Sequence, residues 1–256
     1  MTSDRQIDAS WTPLALAALE RACARHGGWE SWRKLWRVSL RVATLSGSLP
    51  TLKGLGRSFP APGRVEIFPH EQKTVFHEFP DAQHVSVFER GSVRLDAAAD
   101  RRVVEESVRH RQVFRGVSRL RRWSPLDAVY FFGYALWHYH SLPFTLAPGR
   151  LFGHRRVTLG GIGRCDVLKM QLPPDHPTHS RVQTFYFDES GLLVRHDYVA
   201  EIIGGWARGA HYWQDYQIVS GIPVAMRRRV VARLGSTPLP VNVLHATLTD
   251  VRVDVD

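Results

Sequence analysis

The chain has 256 residues, 44% hydrophobic and 23% charged, with a formal net charge of +10. Such a length and composition suit a globular chain whose core is large enough to fold without staples, and they exclude a disordered or fibrous one. No apolar run reaches the length of a membrane-spanning helix, and the positive charge does not read as a nucleic-acid surface: only four of the 34 basic residues are lysine (Lys34, Lys53, Lys73, Lys169), and the arginines are scattered rather than laid along one phosphate track.

Residues 12–26 read as an amphipathic helix. Leu14, Leu16, Leu19 and Cys23 recur near helical spacing, and Gly27 and Gly28 supply a stop. The segment lacks a basic leader and a cleavage site, so it reads as a helix and not a signal peptide. A cytoplasmic location is the expectation. Cys23 and Cys165 lie far apart without a CxxC context and are expected as two buried, reduced thiols. A short second helix should carry Trp29, Trp32 and Trp36 onto a sheet. Next come an alternating strand over 38–45 and four short strands, over 63–69, 74–79, 84–90 and 92–96, as an antiparallel meander. The Gly- and Pro-rich stretch 49–62 reads as a mobile loop. The charged stretch 100–123 reads as part helix or a surface excursion.

Ser124, Pro125 and Asp127 form a strong helix start: a capping hydroxyl, a proline in the first turn and an acid at the third position. The helix over 124–140 is apolar almost all round and is expected to be buried. Beyond 155 the pattern is β, with strands near 164–172, 181–188, 192–201, 209–219, 222–234 and 242–254. No linker interrupts the chain, so a single domain over 1–256 is expected.

An N-terminal helix carries His26-Gly27-Gly28-Trp29 and Trp32 into a first long strand. A meander, a buried helix and long strands around the Phe187–Leu193 turn follow. This order resembles the bacterial lipoprotein-carrier fold (LolA/LppX-like), in a cytoplasmic branch. The resemblance covers most of the chain as pattern. It implies an α+β fold: an open, strongly curved antiparallel sheet, a half-barrel, with helices packed on its concave side and an apolar cavity between them. Carriers of that family are periplasmic and bind acyl chains.

The hairpin over 178–201 holds most of the unusual polar residues. A tight turn at 188–191 predicts Gln183 opposite His196 and Arg181 opposite Tyr198. Period-two alternation then puts Arg181, Gln183, Phe185, Val194, His196 and Tyr198 on one face, with Val182, Thr184, Tyr186, Arg195 and Asp197 on the other. His196 and Asp197 point apart and make no catalytic pair. His138, one turn beyond Tyr134 on the buried helix, is positioned to face that hairpin across a cavity. The candidate ligand-binding residues are therefore Tyr134, Trp137, Arg181, Gln183, His211 and Tyr212; which of the last two faces inward stays open. The candidate acid–base residues are His196, His138 and Tyr198. The plainer readings are a solvent-facing sheet surface and core histidines satisfied by backbone.

No metal site is expected. His176 and His179 have ligand-like spacing inside a Pro-rich stretch of unreadable geometry, and His138 and His140 point too far apart on a helix. Gly160, Gly161 and Gly163 do not match a dinucleotide fingerprint, and Ser180 lacks a nucleophile elbow, so no cofactor is expected. The sequence thus leads to a binding protein for a hydrophobic, possibly anionic, small molecule, with no nucleic-acid partner. The alternative is a cofactor-independent isomerase, cyclase or hydrolase using His/Tyr acid–base chemistry. Arg227, Arg228 and Arg229 add one local feature: on a strand, Arg228 faces opposite to its two neighbours.

Overall fold

The computed structural model describes residues 7–55 and 63–255. The elements are α1 (Pro13–Arg25), α2 (Gly28–Lys34), β1 (Leu35–Ser46), α3 (Ser48–Leu52), β2 (Arg64–Phe68), β3 (Lys73–His77), β4 (His84–Glu89), β5 (Ser92–Ala97) and β6 (Val103–Ser107). Then come α4 (Pro125–Ser141), β7 (Arg150–Leu159), β8 (Gly163–Gln171), β9 (Val182–Asp188), β10 (Leu193–Val199), β11 (Arg208–Val219), β12 (Ile222–Leu234) and β13 (Thr237–Val255). The strands form one curved, unclosed sheet in the order β6-β5-β4-β3-β2-β1-β13-β12-β11-β10-β9-β8-β7. Every neighbouring pair is antiparallel, and the seam between the two runs is β1 against β13, with Val38 facing Val253. This is the α+β half-barrel that the sequence implied.

Two strands were not expected. β6 forms inside the charged stretch, and β7 lies where Gly153 and a run of arginines blur the alternation. They are the two edges of the sheet. Polar edges blunt unwanted pairing with other chains, so weak strand signal is physically reasonable there. Trp36 sits on β1 and is 42% exposed, whereas Trp32 stacks on Phe144 at 4.8 Å. The first part of the expected 49–62 loop is the short helix α3; residues 56–62 lie outside the described residues.

The helices sit on the concave side and divide its core in two. α4 packs with β1–β5 and with Val230, Leu248 and Val253. α1 packs through Ala15, Leu19 and Ala22 against Leu168, Met170, Phe185, Phe187 and Leu193 on the other half. Cys23 belongs to this second cluster, while Cys165 lies on the outer face with Val167 and Tyr186. α4 begins with a full capping box: Ser124 Oγ accepts from the Asp127 N–H, and Asp127 Oδ2 accepts from the Ser124 N–H at 2.8 Å. His110 and Arg121 also bind the Asp127 carboxylate, at 2.9 and 2.7 Å, so the charged stretch ties down the start of the helix.

Gly133 shows why this helix tolerates a residue that costs about 1 kcal/mol of helix propensity. A Cβ there would lie 2.3 Å from Phe88 Cβ. Only a glycine lets α4 come this close to β4, and its carbonyl accepts from Thr74 Oγ1 at 2.9 Å.

Candidate functional site

The 178–201 hairpin differs from its expected register. His196 faces Phe185 and Asp197 faces Thr184, a slip of two residues from the expected pairs, with a bulge between Leu193 and Arg195. The turn supplies the first residue of the slip, since Leu193 and not Leu192 faces Phe187, and the bulge supplies the second. Gly191, at a φ of 93°, donates to the Asp188 carbonyl, and the Leu192 carbonyl accepts from the Asp188 N–H at 2.9 Å, which widens the loop end. A slip of two preserves the face, so Gln183, Phe185, His196 and Tyr198 still point inward. The bulge moves Val194 to the outer cluster with Tyr186. Asp197 is on the outer face, as expected, held by two bonds from Arg195 at 2.7 and 2.8 Å.

Between this hairpin and α4 the space is filled by a buried polar cluster. The imidazole of His179 lies between two tyrosines, with Tyr134 Oη 2.9 Å from Nδ1 and Tyr139 Oη 2.6 Å from Nε2. A neutral imidazole has one N–H, so it donates to one hydroxyl and accepts from the other. Its ring stacks on Tyr198 at 3.9 Å. Arg111 fixes the backbone here, donating to the Thr178 and His179 carbonyls at 2.8 and 3.0 Å and to Glu201. His138 Nδ1 meets His176 Nε2 at 2.8 Å. Gln183 donates from Nε2 to Thr178 Oγ1 and to the Ser180 carbonyl, both at 2.6 Å. Its carbonyl oxygen therefore turns to His196 Nε2, which must carry the proton, leaving Nδ1 bare.

Burial dominates the titration of this cluster. It pushes the His138, His179, His196 and His211 imidazoles well below their ordinary range, and neighbouring histidines or arginines add to the effect. His176 falls to about 3 by burial alone. Burial raises Tyr134 and Tyr139 well above the usual phenol value. Every member is neutral at pH 7.

The open space lies beside this cluster. A cavity of about 550 Å³ runs under β1 and β11–β13, and it is roofed by the Phe131, Phe132, Ala135, Leu136 and Tyr139 face of α4. Val42, Leu45, Val230, Val243 and Leu248 line its floor. Four of its lining residues are also solvent-exposed apolar side chains: Leu52, Trp206, Leu239 and Val241, with Trp206 71% exposed. They mark the mouth. Trp206 can fold over its own loop because Gly204 has no side chain; a Cβ there would meet the indole Nε1 at 2.5 Å. Among the polar residues of the wall, the Tyr139 ring lies 4.7 Å from that of His211 and 5.8 Å from the Arg228 guanidinium, and the Tyr198 ring lies 6.5 Å from that of His211; Ser48, His77, Arg208 and Arg233 line the cavity elsewhere.

Of the expected residues, only Tyr198 and His211 reach this cavity. The question left open between His211 and Tyr212 is answered for His211: Tyr212 is on the outer face beside Arg195, with the guanidinium 5.7 Å from its ring. Arg181 precedes β9, is exposed, and donates to the Leu172 carbonyl, so it is not a pocket cation. Tyr134, Trp137, His138, Gln183 and His196 are fully buried behind the wall. The pocket expected between hairpin and helix is occupied because the 172–181 crossover inserts His176 and His179 there. Trp137 donates to the Pro69 carbonyl at 2.7 Å, away from the hairpin.

Sequence reading passed over Tyr139, Arg228 and the bridging role of His179. Arg228 carried a signal in its alternation with two exposed neighbours. Tyr139 carried none, because the helix is apolar on every side. Among the described residues no three His, Cys, Asp or Glu side chains are grouped to hold a metal ion, and no helix is long and apolar enough to cross a membrane.

No family model and no curated protein matches the sequence. Two solved structures are similar to it across most of their length. One is a DUF1329 family protein from Desulfovibrio piger, 13% identical, with 94% of this chain and 93% of that chain covered and a TM-score of 0.47. The other is from Nitrosomonas europaea, 10% identical, with 93% and 92% covered and a TM-score of 0.49. It is a LolA superfamily protein. Both likenesses concern the fold, and the account of the cavity rests on its own residues.

Proposed function

We propose that this protein binds a hydrophobic small molecule in the cavity beneath α4. One observation carries the reading. A space of about 550 Å³ with an almost wholly apolar wall opens at exposed apolar side chains. Pockets for small ligands fall in the range of about 300–1,000 Å³ and combine apolar walls with a few placed polar groups. A well-packed core has no void of this size. The cavity requires neither a metal nor a cofactor for this role, and neither a nucleic acid nor a membrane-spanning segment enters the reading.

Native mass spectrometry of freshly purified protein tests it directly, by looking for a bound small molecule. A hydrophobic fluorophore then reports on the cavity in solution. Ala135→Phe, which projects a ring from α4 into the space, should reduce fluorophore affinity about tenfold or more while the fold stays cooperative. Unchanged binding in that variant would locate the ligand elsewhere. Subcellular fractionation tests the cytoplasmic setting.

A second reading, an enzyme, has one observation in its favour. The Tyr134–His179–Tyr139 chain ends at a tyrosine that lines the cavity, so a proton relayed through His179 to Tyr139 is the chemistry an enzyme would use here. Here Tyr139 and His179 take the roles first assigned to His196 and His138, and Tyr198 keeps a place beside them. Incubating the extracted ligand with protein in deuterated water distinguishes the two readings. Chemical conversion or deuterium incorporation that Tyr139→Phe abolishes supports the enzyme; an unaltered ligand supports the binder.

A further inference from the structure

Arg228 is the central residue of three consecutive arginines on β12, and of these three it alone turns inward; Arg227 and Arg229 are exposed. It is 5% exposed. Its guanidinium carbon lies 3.6 Å from the Trp213 ring centroid and 5.8 Å from that of Tyr139. Among the described residues no carboxylate forms an ion pair with it, and its Nη1 has no hydrogen-bond partner. The other deeply buried arginine shows how this fold normally satisfies such a group. Arg195, 4% exposed, makes a two-pronged pair with Asp197 and a further bond to the Ser236 carbonyl.

A guanidinium taken out of water without an anion is strongly unfavourable, and deleting the partner of a buried pair has the same effect. Burial lowers the Arg228 pKa to about 10, with Tyr216 and Tyr139 opposing the shift, so the group stays cationic at pH 7. The unpaired groups beside it point the same way. His211 is 1% exposed, lines the same cavity, and has neither ring nitrogen bonded. Its ring centroid is 4.7 Å from that of Tyr139. A cation and an imidazole able to donate one hydrogen bond thus share a corner of a largely apolar cavity. Among the described residues no acidic side chain lines that cavity.

We propose that the ligand is an amphiphile with a single carboxylate, held at Arg228 and His211, with its apolar body running under α4 toward the mouth at Leu52 and Trp206. This rests on the cavity-binding reading and adds the chemical class of the ligand. Of the three arginines that line the cavity, Arg208 is exposed and Arg233 pairs with Asp197 at 3.6 Å, so Arg228 is the buried one without an anion. The planar guanidinium fork matches the two oxygens of a carboxylate, and the low local dielectric strengthens the pairing. A neutral lipid would leave Arg228 unpaired.

The test uses dodecanoic acid and 1-dodecanol, which share an apolar chain and differ in the head. Both are titrated against the full-length wild-type protein and Arg228→Met. Wild type should bind the acid at least about tenfold more tightly than the alcohol, and Arg228→Met should abolish that preference while retaining the alcohol. Equal affinities in wild type, or an acid preference that survives in Arg228→Met, would overturn the carboxylate assignment. Failure of wild type to bind either molecule, or the hydrophobic fluorophore, would instead remove the cavity reading on which it rests. Should Arg228→Met not fold, carboxyl-labelled acid bound to wild type decides the matter by ¹³C NMR. Pairing with Arg228 requires its carboxyl to titrate below the free acid, and an equal or higher value rejects the pairing.

Discussion

The concave side of this half-barrel has two regions that use similar residues to opposite ends. Under β8–β10, eight aromatic or imidazole rings and a glutamine are packed into a largely buried cluster tied together by hydrogen bonds and ring contacts. Under β1 and β11–β13 a largely apolar wall encloses a cavity, with the buried, unpaired Arg228 and His211 at one end. The comparison teaches that a concentration of titratable residues is a poor guide to where a ligand goes. Where polar groups satisfy one another they close the space and rigidify it. Where Arg228 and His211 are left unpaired next to a cavity, they mark a place for something else.

The largest expected effect is a loss of stability in acid, carried by buried histidines in and beside the first region. Burial holds His176 and His140 down to about 3 and His26 to about 4, against about 6.5 when unfolded. Above pH 6.5 both states are neutral and stability is complete. Below it the unfolded chain takes up protons that the folded chain refuses, and stability falls until the folded values are reached. Each histidine contributes about 1.4 kcal/mol per pH unit in that window, so these three remove about 4 kcal/mol per unit. Against a total stability of about 5–15 kcal/mol, unfolding should set in roughly one to three units below pH 6.5. Thermal melts between pH 8 and pH 4 check this, and a flat profile would show that the histidines are not buried as described.

Next in size is His179→Ala. It leaves the Tyr134 and Tyr139 hydroxyls without their partner and removes the ring stacked on Tyr198, at about 2–4 kcal/mol. Chemical denaturation measures it. Fluorophore binding in the cavity should survive, and its loss would mean that the two regions are not separable.

A paired substitution sharpens the contrast in packing. Leu168→Ala, in the filled core under α1, should cost about 3–5 kcal/mol, because it opens a new void. Leu136→Ala, on the cavity roof, enlarges a void already present and should cost about 1 kcal/mol. Equal costs would argue that the cavity collapses in solution. The smallest effect belongs to the mouth. Trp206→Ala should change stability by no more than about 0.5 kcal/mol, since the side chain is 71% exposed, while stopped-flow rates of fluorophore entry and release should change together.

Much of the scaffold was legible locally. The α4 start is written in Ser124, Pro125 and Asp127, the α1 stop in Gly27, and most strands in their alternation, because caps, turns and period-two patterns are short-range physics. Register was less legible. The hairpin slipped by two because Gly191 and a bulge at Val194 reshaped its end, and only the even size of that slip kept His196 and Tyr198 on the inner face. Edge strands β6 and β7 were missed because an edge needs no strong apolar alternation.

By itself, the sequence determined which side chains share a face where the strand is regular: Gln183, Phe185, His196 and Tyr198 on the hairpin, and Arg228 opposite to Arg227 and Arg229, while Val194 at the bulge and Arg181 before β9 escaped the pattern. Only the tertiary structure decided which of these meet packed neighbours and which meet a void. That depends on how far α4 stands from each strand. Gly133 draws the helix onto β4, the 172–181 crossover fills the space before β9 and β10, and nothing fills the space before β11–β13. Whether a volume is filled is a sum over side chains distant in sequence, and no local pattern carries that sum.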